Sequence, residues 1–391
     1  MKKSRLTYYV NITIVISILS QIKEAEFLAR PIMHILWIGL VLIGIIKNNA
    51  TLKLSRFTIT YTSLYAVYIV VCLTVSAFGL NHLSSLYLRA LAIPMLVLLA
   101  SNCNHDFFTT SSFISFSKTY VISAVLFAIY VNINYFVSYS AWITQLEYVY
   151  SQKNSASQIW GTGLILSFYV FSNSKNKRKR IWLISACYLL LIICLCRCRT
   201  ALLSLILGGI ISIFYSTKRK FEVSIAFAIS LALIIGAPFF LEFVKQAFFL
   251  SKYVGANLDA FSAGRLNLYR IAILDFYEHI LFGTGNYYVD SSYIMILTES
   301  GIVGFILIET IWLNRISLNI KTVRISSVKS EKLCLLYMTL FYIGESFLEG
   351  FPPFGPGVSS FFFWIFSEIM PLRESRQLTY GGSIYGSENL P

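Results

Sequence analysis

The chain has 391 residues, of which 57% are hydrophobic and only 13% charged, and its mean hydropathy is +0.69. Soluble domains run nearer half apolar and a quarter charged, so a water-soluble fold of this length is excluded for want of polar surface. The net charge of +14 does not signal nucleic acid, because Lys and Arg fall in small clusters between apolar runs with no continuous basic face.

A spanning helix needs roughly 20 mostly apolar residues. By that measure the chain offers about twelve segments: 6–21, 29–46, 57–79, 89–100, 118–137, 159–173, 181–196, 200–216, 222–244, 291–313, 333–349 and 357–371. The expected fold class is therefore an all-α polytopic membrane protein, with residues 1–391 forming a single integral membrane domain. The basic start Met1-Lys2-Lys3-Ser4-Arg5 has no small-x-small cleavage site after it and reads as the head of the first helix. With the N-terminus inside, 22 of the 32 Lys and Arg lie on the inner side and 10 on the outer side. That asymmetry predicts cytoplasmic termini, including a cytoplasmic tail at 372–391.

Two outer connections are long. Segment 245–290 carries apolar residues from Leu266 to Leu281 at spacings that predict a half-buried helix lying on the membrane. Segment 138–158 holds Trp142, Tyr148, Tyr150 and Lys153; its aromatic residues fit either an interfacial belt or stacking on sugar rings. Long loops are disproportionately functional.

Outer-side arginines are the first site candidates, because the positive-inside rule disfavours them there. Arg197 and Arg199 lie in Cys196-Arg197-Cys198-Arg199 between two spans, and Arg265 and Arg270 flank the start of the loop helix. Guanidinium forks suit phosphate and diphosphate, although headgroup snorkelling is the plain alternative. Residues two apart point about 200° apart on a helix, so Arg197 and Arg199 reach one site only if the helix ends between them. Among the acids, Asp275 and Glu278 fit a solvated face, and Asp259 lies earlier in the same loop. Asp290 stands where the loop re-enters the membrane and Glu299 inside a span, where ionisable groups are functional candidates by default. Glu345 and Glu349 are weaker candidates of the same kind. His34, His82, His105 and His279 show no metal-ligand spacing; His279, in the loop, is the one to test as an acid or base. Cys194, Cys196 and Cys198 read as small packing residues.

Gly264-Arg265, Phe282-Gly283-Thr284-Gly285, Asp290-Ser291-Ser292-Tyr293 and Glu299-Ser300-Gly301-Ile302-Val303-Gly304 follow one another in the second half of the chain. Together they resemble the O-antigen polymerase and ligase superfamily. Upstream, Arg199-Thr200-Ala201-Leu202-Leu203 resembles the Arg-Thr/Gly-Ala-Leu element of the same families, and Arg197 with Gly208 fits their arginine–x10–glycine pattern. The resemblance covers about 195–310 and fits the expected topology, with 245–290 as the long periplasmic loop. In ligases of lipid A core a histidine precedes the Ser291…Gly301…Gly304 frame; here that position is Asp290, which favours the polymerase branch.

The resemblance implies a GT-C-like, inverting, metal-independent glycosyltransferase of the bacterial inner membrane that needs no cofactor. It would move a growing glycan from undecaprenyl diphosphate onto a lipid-linked repeat unit at the periplasmic face. Arg197, Arg199 and Arg270 would bind the diphosphate or orient the sugar, and Arg265 would stabilise the leaving group. Asp290 is the candidate general base, with Glu299 and His279 as runners-up. Implied partners are undecaprenyl-diphosphate-linked oligosaccharides, membrane lipids and, as a candidate, a chain-length regulator, with no nucleic acid. Alternatives are an O-antigen ligase-like transferase and a flippase or transporter of lipid-linked oligosaccharides.

Overall fold

The computed structural model describes residues 3–47, 54–78, 85–104, 107, 109–135, 153–174, 179–196, 198–214, 264–285, 287–325, 329–355 and 360–369. These residues form helices and connections, with no strand among them. The helices are α1 (Lys3–Leu19), α2 (Glu26–Lys47), α3 (Arg56–Ala77), α4 (Ser85–Cys103), α5 (Thr110–Tyr135) and α6 (Lys153–Asn173). They continue with α7 (Lys179–Leu195), α8 (Arg199–Phe214), α9 (Arg265–Glu278), α10 (Ser292–Ile325) and α11 (Lys329–Leu348), and close with a short α12 over 361–369. The described parts of the expected spans are helical apart from a few end residues, and 222–244 lies outside the described residues. Among the described residues, five helices are long and apolar enough to cross a membrane: Glu26–Lys47, Arg56–Ala77, Leu86–Cys103, Ser111–Asn134 and Ser292–Arg324.

Their surfaces are arranged for an apolar solvent. On α2, Leu28, Ile32, Ile35, Ile38, Leu42 and Ile46 form an exposed stripe at helical spacing, while Met33, Trp37 and Leu40 face inward. On α3 the inward residues are tyrosines one turn apart: Tyr61 donates to Leu91 O at 2.9 Å and Tyr65 to Leu88 O at 2.8 Å, while Tyr68 and Ser300 share a hydrogen bond of 2.7 Å. Polar groups turn inward because lipid offers them no partner.

The segment expected as the last span lies at the centre of the bundle over its described residues, 360–369. In α12 the side chains of Phe361, Phe362, Phe363, Trp364, Ile365 and Phe366 are all buried. Their rings meet Trp37 of α2, Phe57 of α3, Phe113 of α5, Tyr169 of α6, Trp312 of α10 and Tyr342 of α11 at centroid distances of 4.4–6.3 Å. One charged pair is enclosed beside them. Arg315 Nη2 lies 2.5 Å from Glu368 Oε2, its Nη1 donates to Ser367 O at 2.8 Å, and its guanidinium lies 3.4 Å from the Phe57 ring centroid. Glu368 Oε1 accepts from Asn102 at 2.9 Å, from Thr58 at 3.1 Å and from Ser55. These contacts offset the cost of burying the pair, although Arg315 Nε is left without a hydrogen-bond partner.

α10 is broken near its start. Gly301 has φ 63° and ψ −169°, so the helix stops after Ser300 and restarts at Ile302. The loop 281–285 fits into the break: Thr284 N–H donates to Thr298 O at 2.8 Å and Gly285 N–H to Glu299 O at 3.0 Å. In return Ile302 N–H donates to Ile280 O at 2.9 Å and Val303 N–H to Leu281 O at 3.3 Å. The loop thus serves both the orphan carbonyls of one half-helix and the orphan amides of the next. Contact is close enough that a Cβ on Gly301 would lie 2.4 Å from the Leu281 carbonyl carbon, and one on Gly283 would lie 2.5 Å from Glu299 O.

Replacing Gly301 by Ala is expected to cost about 3 kcal/mol, since a backbone clash adds to the strain of positive φ. Leu281→Ala, at a side chain 59% exposed, is expected to change stability by under about 0.5 kcal/mol. Thermal unfolding in detergent checks the contrast, and equal midpoints for the two variants would contradict it.

Candidate functional site

Three segments far apart in sequence converge at one end of the bundle. Arg265 opens α9 directly after Gly264. Its Nε lies 3.0 Å from Asp290 Oδ2, its Nη2 is 3.0 Å from Glu349 Oε1, and its Nη1 donates to Leu348 O at 2.8 Å. The Arg265 and Asp290 side chains are 19% and 26% exposed, that of Glu349 only 5%.

Each carboxylate is held from a second side. Asn154 Nδ2 donates to both Glu349 oxygens, at 2.9 and 3.0 Å. Tyr288 OH donates to Asp290 Oδ1 at 3.0 Å, and Tyr269 OH donates to Asp290 O. Ser292 Oγ donates to Pro352 O at 2.5 Å and lies 3.1 Å from both Glu349 O and Gly350 O, and Tyr87 OH donates to Gly350 O at 2.6 Å. The cluster borders a cavity of about 250 Å³ lined by Lys153, Asn154, Gln158, Tyr288, Glu349 and Phe351.

Burial works against the Arg265 charge, but the facing carboxylates of Glu349 and Asp290 outweigh it and raise the guanidinium above its already high value. Burial also raises the Tyr288 phenol, and the neighbouring Asp290 pushes it further in the same direction. Tyr269 is raised by burial as well, with Arg265 partly opposing the shift. Both phenols therefore stay protonated near neutral pH and act as donors. The groups able to accept a proton beside the cavity are the two carboxylates.

The expected site residues fare differently. Arg265 and Asp290 meet directly. Glu349, a weaker candidate by sequence, completes the cluster, and Lys153 and Asn154, which carried no assigned role, lie beside it. Arg265 has each of its three donor directions occupied, so here it orders Asp290 and Glu349 in place of presenting an open fork. Glu299 is fully buried at the end of the first half of α10, where its Oε1 accepts from Tyr87 N–H at 3.4 Å. His279 closes α9 with an exposed side chain. Arg270 is exposed on α9, and Arg199 opens α8 half-buried. Helix α7 does end before Arg199, as a shared site for the Cys196-Arg197-Cys198-Arg199 turn requires, but Arg197 lies outside the described residues, as do Asp259, Trp142, Tyr148 and Tyr150. Cys194, Cys196 and Cys198 are free thiols, the last two buried.

The loop helix expected within 245–290 is present as α9. Of α9 only Ala272 is buried, while Leu266, Leu268, Ile271, Leu274 and Tyr277 are exposed. Its apolar side chains point around more than one face. No protein-family model matches the chain, and no curated protein matches it. The motifs and the site geometry carry the functional reading.

Because Arg265 serves three acceptors lying in different directions, lysine cannot replace it. Arg265→Ala is expected to cost about 2–4 kcal/mol by leaving two carboxylates facing each other, and Arg265→Lys is expected to recover less than half of that. Hydrogen exchange across 265–278 measures it: protection is expected to fall in both variants. Full protection in Arg265→Lys would show that a single positive charge suffices.

Proposed function

We propose that this protein is a surface-polysaccharide polymerase of the O-antigen type, an inverting glycosyltransferase of the bacterial inner membrane. On this reading it is GT-C-like, with about twelve spans and both termini in the cytoplasm, and 245–290 forms the long periplasmic loop. It transfers a growing glycan from undecaprenyl diphosphate to a sugar hydroxyl of a lipid-linked repeat unit. The observation that carries the reading is the cluster of Arg265, Asp290 and Glu349 at the end of an apolar bundle, with Glu349 lining a cavity beside Lys153 and Tyr288.

The chemistry needs two things. An acceptor hydroxyl must lose its proton as it attacks the anomeric carbon, and the departing diphosphate must be met by positive charge. Asp290 or Glu349 takes the proton, each fixed by Arg265 and by a second donor. Lys153 at the cavity supplies charge to the diphosphate without a metal ion, and Arg197, Arg199 and Arg270 are the further candidates for that role. Arg265 joins them when the bound diphosphate draws it from its carboxylates. The aspartate at 290, where lipid A core ligases carry histidine, keeps polymerase ahead of ligase.

One observation favours a second reading. Carriers build substrate sites at broken helices, and α10 breaks next to the buried Glu299. A flippase of lipid-linked oligosaccharides would use that break as its pathway.

A null strain complemented with variants separates these readings. Arg265→Ala, Asp290→Asn and Glu349→Gln are each expected to lower polymerisation by about 100-fold or more while the protein stays in the membrane. The surface should then carry single repeat units, seen as the loss of the ladder on a polysaccharide gel. A full ladder from all three variants would overturn the site. Polymer stranded on its lipid carrier in the null strain would indicate a ligase, and repeat units trapped on the inner leaflet a flippase.

A further inference from the structure

Three aromatic rings run in a row from the core of the bundle to the cavity. Tyr87, near the start of α4, is fully buried, and its ring centroid lies 6.1 Å from that of Phe351. Phe351 is half-buried and lies 5.9 Å from Tyr288. Tyr288, last in the row, remains 53% exposed although its hydroxyl is tied to Asp290 Oδ1. The row is braced through the backbone, since Tyr87 OH donates to Gly350 O, the carbonyl just before Phe351. Contact is tight there as well: a Cβ on Gly350 would lie 2.8 Å from Val289 O and 3.3 Å from the Tyr288 ring.

Tyr288 and Phe351 both line the cavity, together with the polar side chains of Lys153, Asn154, Gln158 and Glu349. The two rings are tilted by 43° and so make an angled wall. Aromatic rings carry negative faces. One face of a pyranose is a set of weakly positive, apolar C–H bonds, whereas its rim of hydroxyls needs hydrogen-bonding groups. A lining that joins open rings to amide, ammonium and carboxylate groups meets both needs. At about 250 Å³ the cavity is smaller than the roughly 300–1,000 Å³ usual for drug-sized ligands, which suits one sugar ring and not a chain.

We propose that Tyr288 and Phe351 form the subsite for the acceptor's terminal pyranose, the sugar whose hydroxyl is extended. The inference rests on the glycosyl-transfer reading and adds to it the place of the acceptor and the rings that hold it. Tyr288 secures Asp290 through its hydroxyl, and Glu349 shares the cavity lining, so a sugar on these rings has both proton acceptors beside it. Only the acceptor's hydroxyl gives up a proton in the transfer, and its sugar is therefore the one that belongs there.

Two substitutions at Tyr288 isolate the ring, because both take the hydroxyl away from Asp290 and only one takes away the aromatic face. With full-length protein in liposomes and lipid-linked repeat units as substrate, Tyr288→Leu is expected to show a KM about tenfold above that of Tyr288→Phe, the two kcat values agreeing within about twofold. Phe351→Leu should raise KM over wild type by a similar factor; if that variant fails to fold, the half-exposed Tyr288 pair decides alone. Equal KM values for the two Tyr288 variants, with wild-type protein active, overturn the subsite and leave the transfer reading standing. No product from folded wild-type protein overturns that reading, and the subsite with it.

Discussion

A helix broken inside an apolar bundle must find partners for its freed backbone groups, because no water is there to supply them. At Gly301 that requirement is met by the loop 281–285, which donates to the carbonyls of Thr298 and Glu299, while the carbonyls of Ile280 and Leu281 accept from the next half-helix. The rest of the site depends on this exchange. Arg265 lies on the helix that leads into the loop and Asp290 on the strand of chain that leads out of it. Seating the loop therefore fixes both against the end of α11, where Glu349 waits. A motif that reads as a family signature, Phe282-Gly283-Thr284-Gly285 with Glu299-Ser300-Gly301, has a structural reason: two glycines let two backbones approach where any side chain would collide.

The electrostatics of the cluster follow from the same geometry. A guanidinium with three donor directions can hold two carboxylates and a carbonyl in one plane of contacts, which a point-like ammonium cannot. Its charge is in turn secured by those carboxylates. Arg265 is thus a positioning residue as found, and it becomes an anion-binding one only if substrate displaces Asp290 or Glu349. Tyr288 and Tyr269, kept protonated by burial, complete the set of donors.

The helical bundle was legible from apolar runs alone, because a segment long enough to span and free of charge has few other structures open to it. The central placement of 361–369 was not. Apolarity cannot distinguish a side chain facing lipid from one facing protein, and α12 is buried on every side. Among site residues, Arg265 and Asp290 stood out through local context: an arginine on the side where arginine is disfavoured, and an acid at a membrane boundary. Glu349 had only the second of these, and its importance comes from Asn154 and Arg265, 195 and 84 residues away in sequence. Asn154 carries no local signal, and Lys153 only that of a basic residue in a long outer connection. The loop helix was legible from its apolar spacing as well, and its large apolar side chains are left uncovered by the rest of the protein.

The central claim is that the Arg265, Asp290 and Glu349 cluster carries out glycosyl transfer between lipid-linked glycans. Its most direct test is purified protein in liposomes supplied with undecaprenyl-diphosphate-linked repeat units as the sole substrate, the products being resolved by length. Wild-type protein is predicted to build a ladder without added metal ion or nucleotide, and Glu349→Gln to leave the single units untouched. A ladder of unchanged length and rate from Glu349→Gln, or no product from folded wild-type protein, would contradict the account.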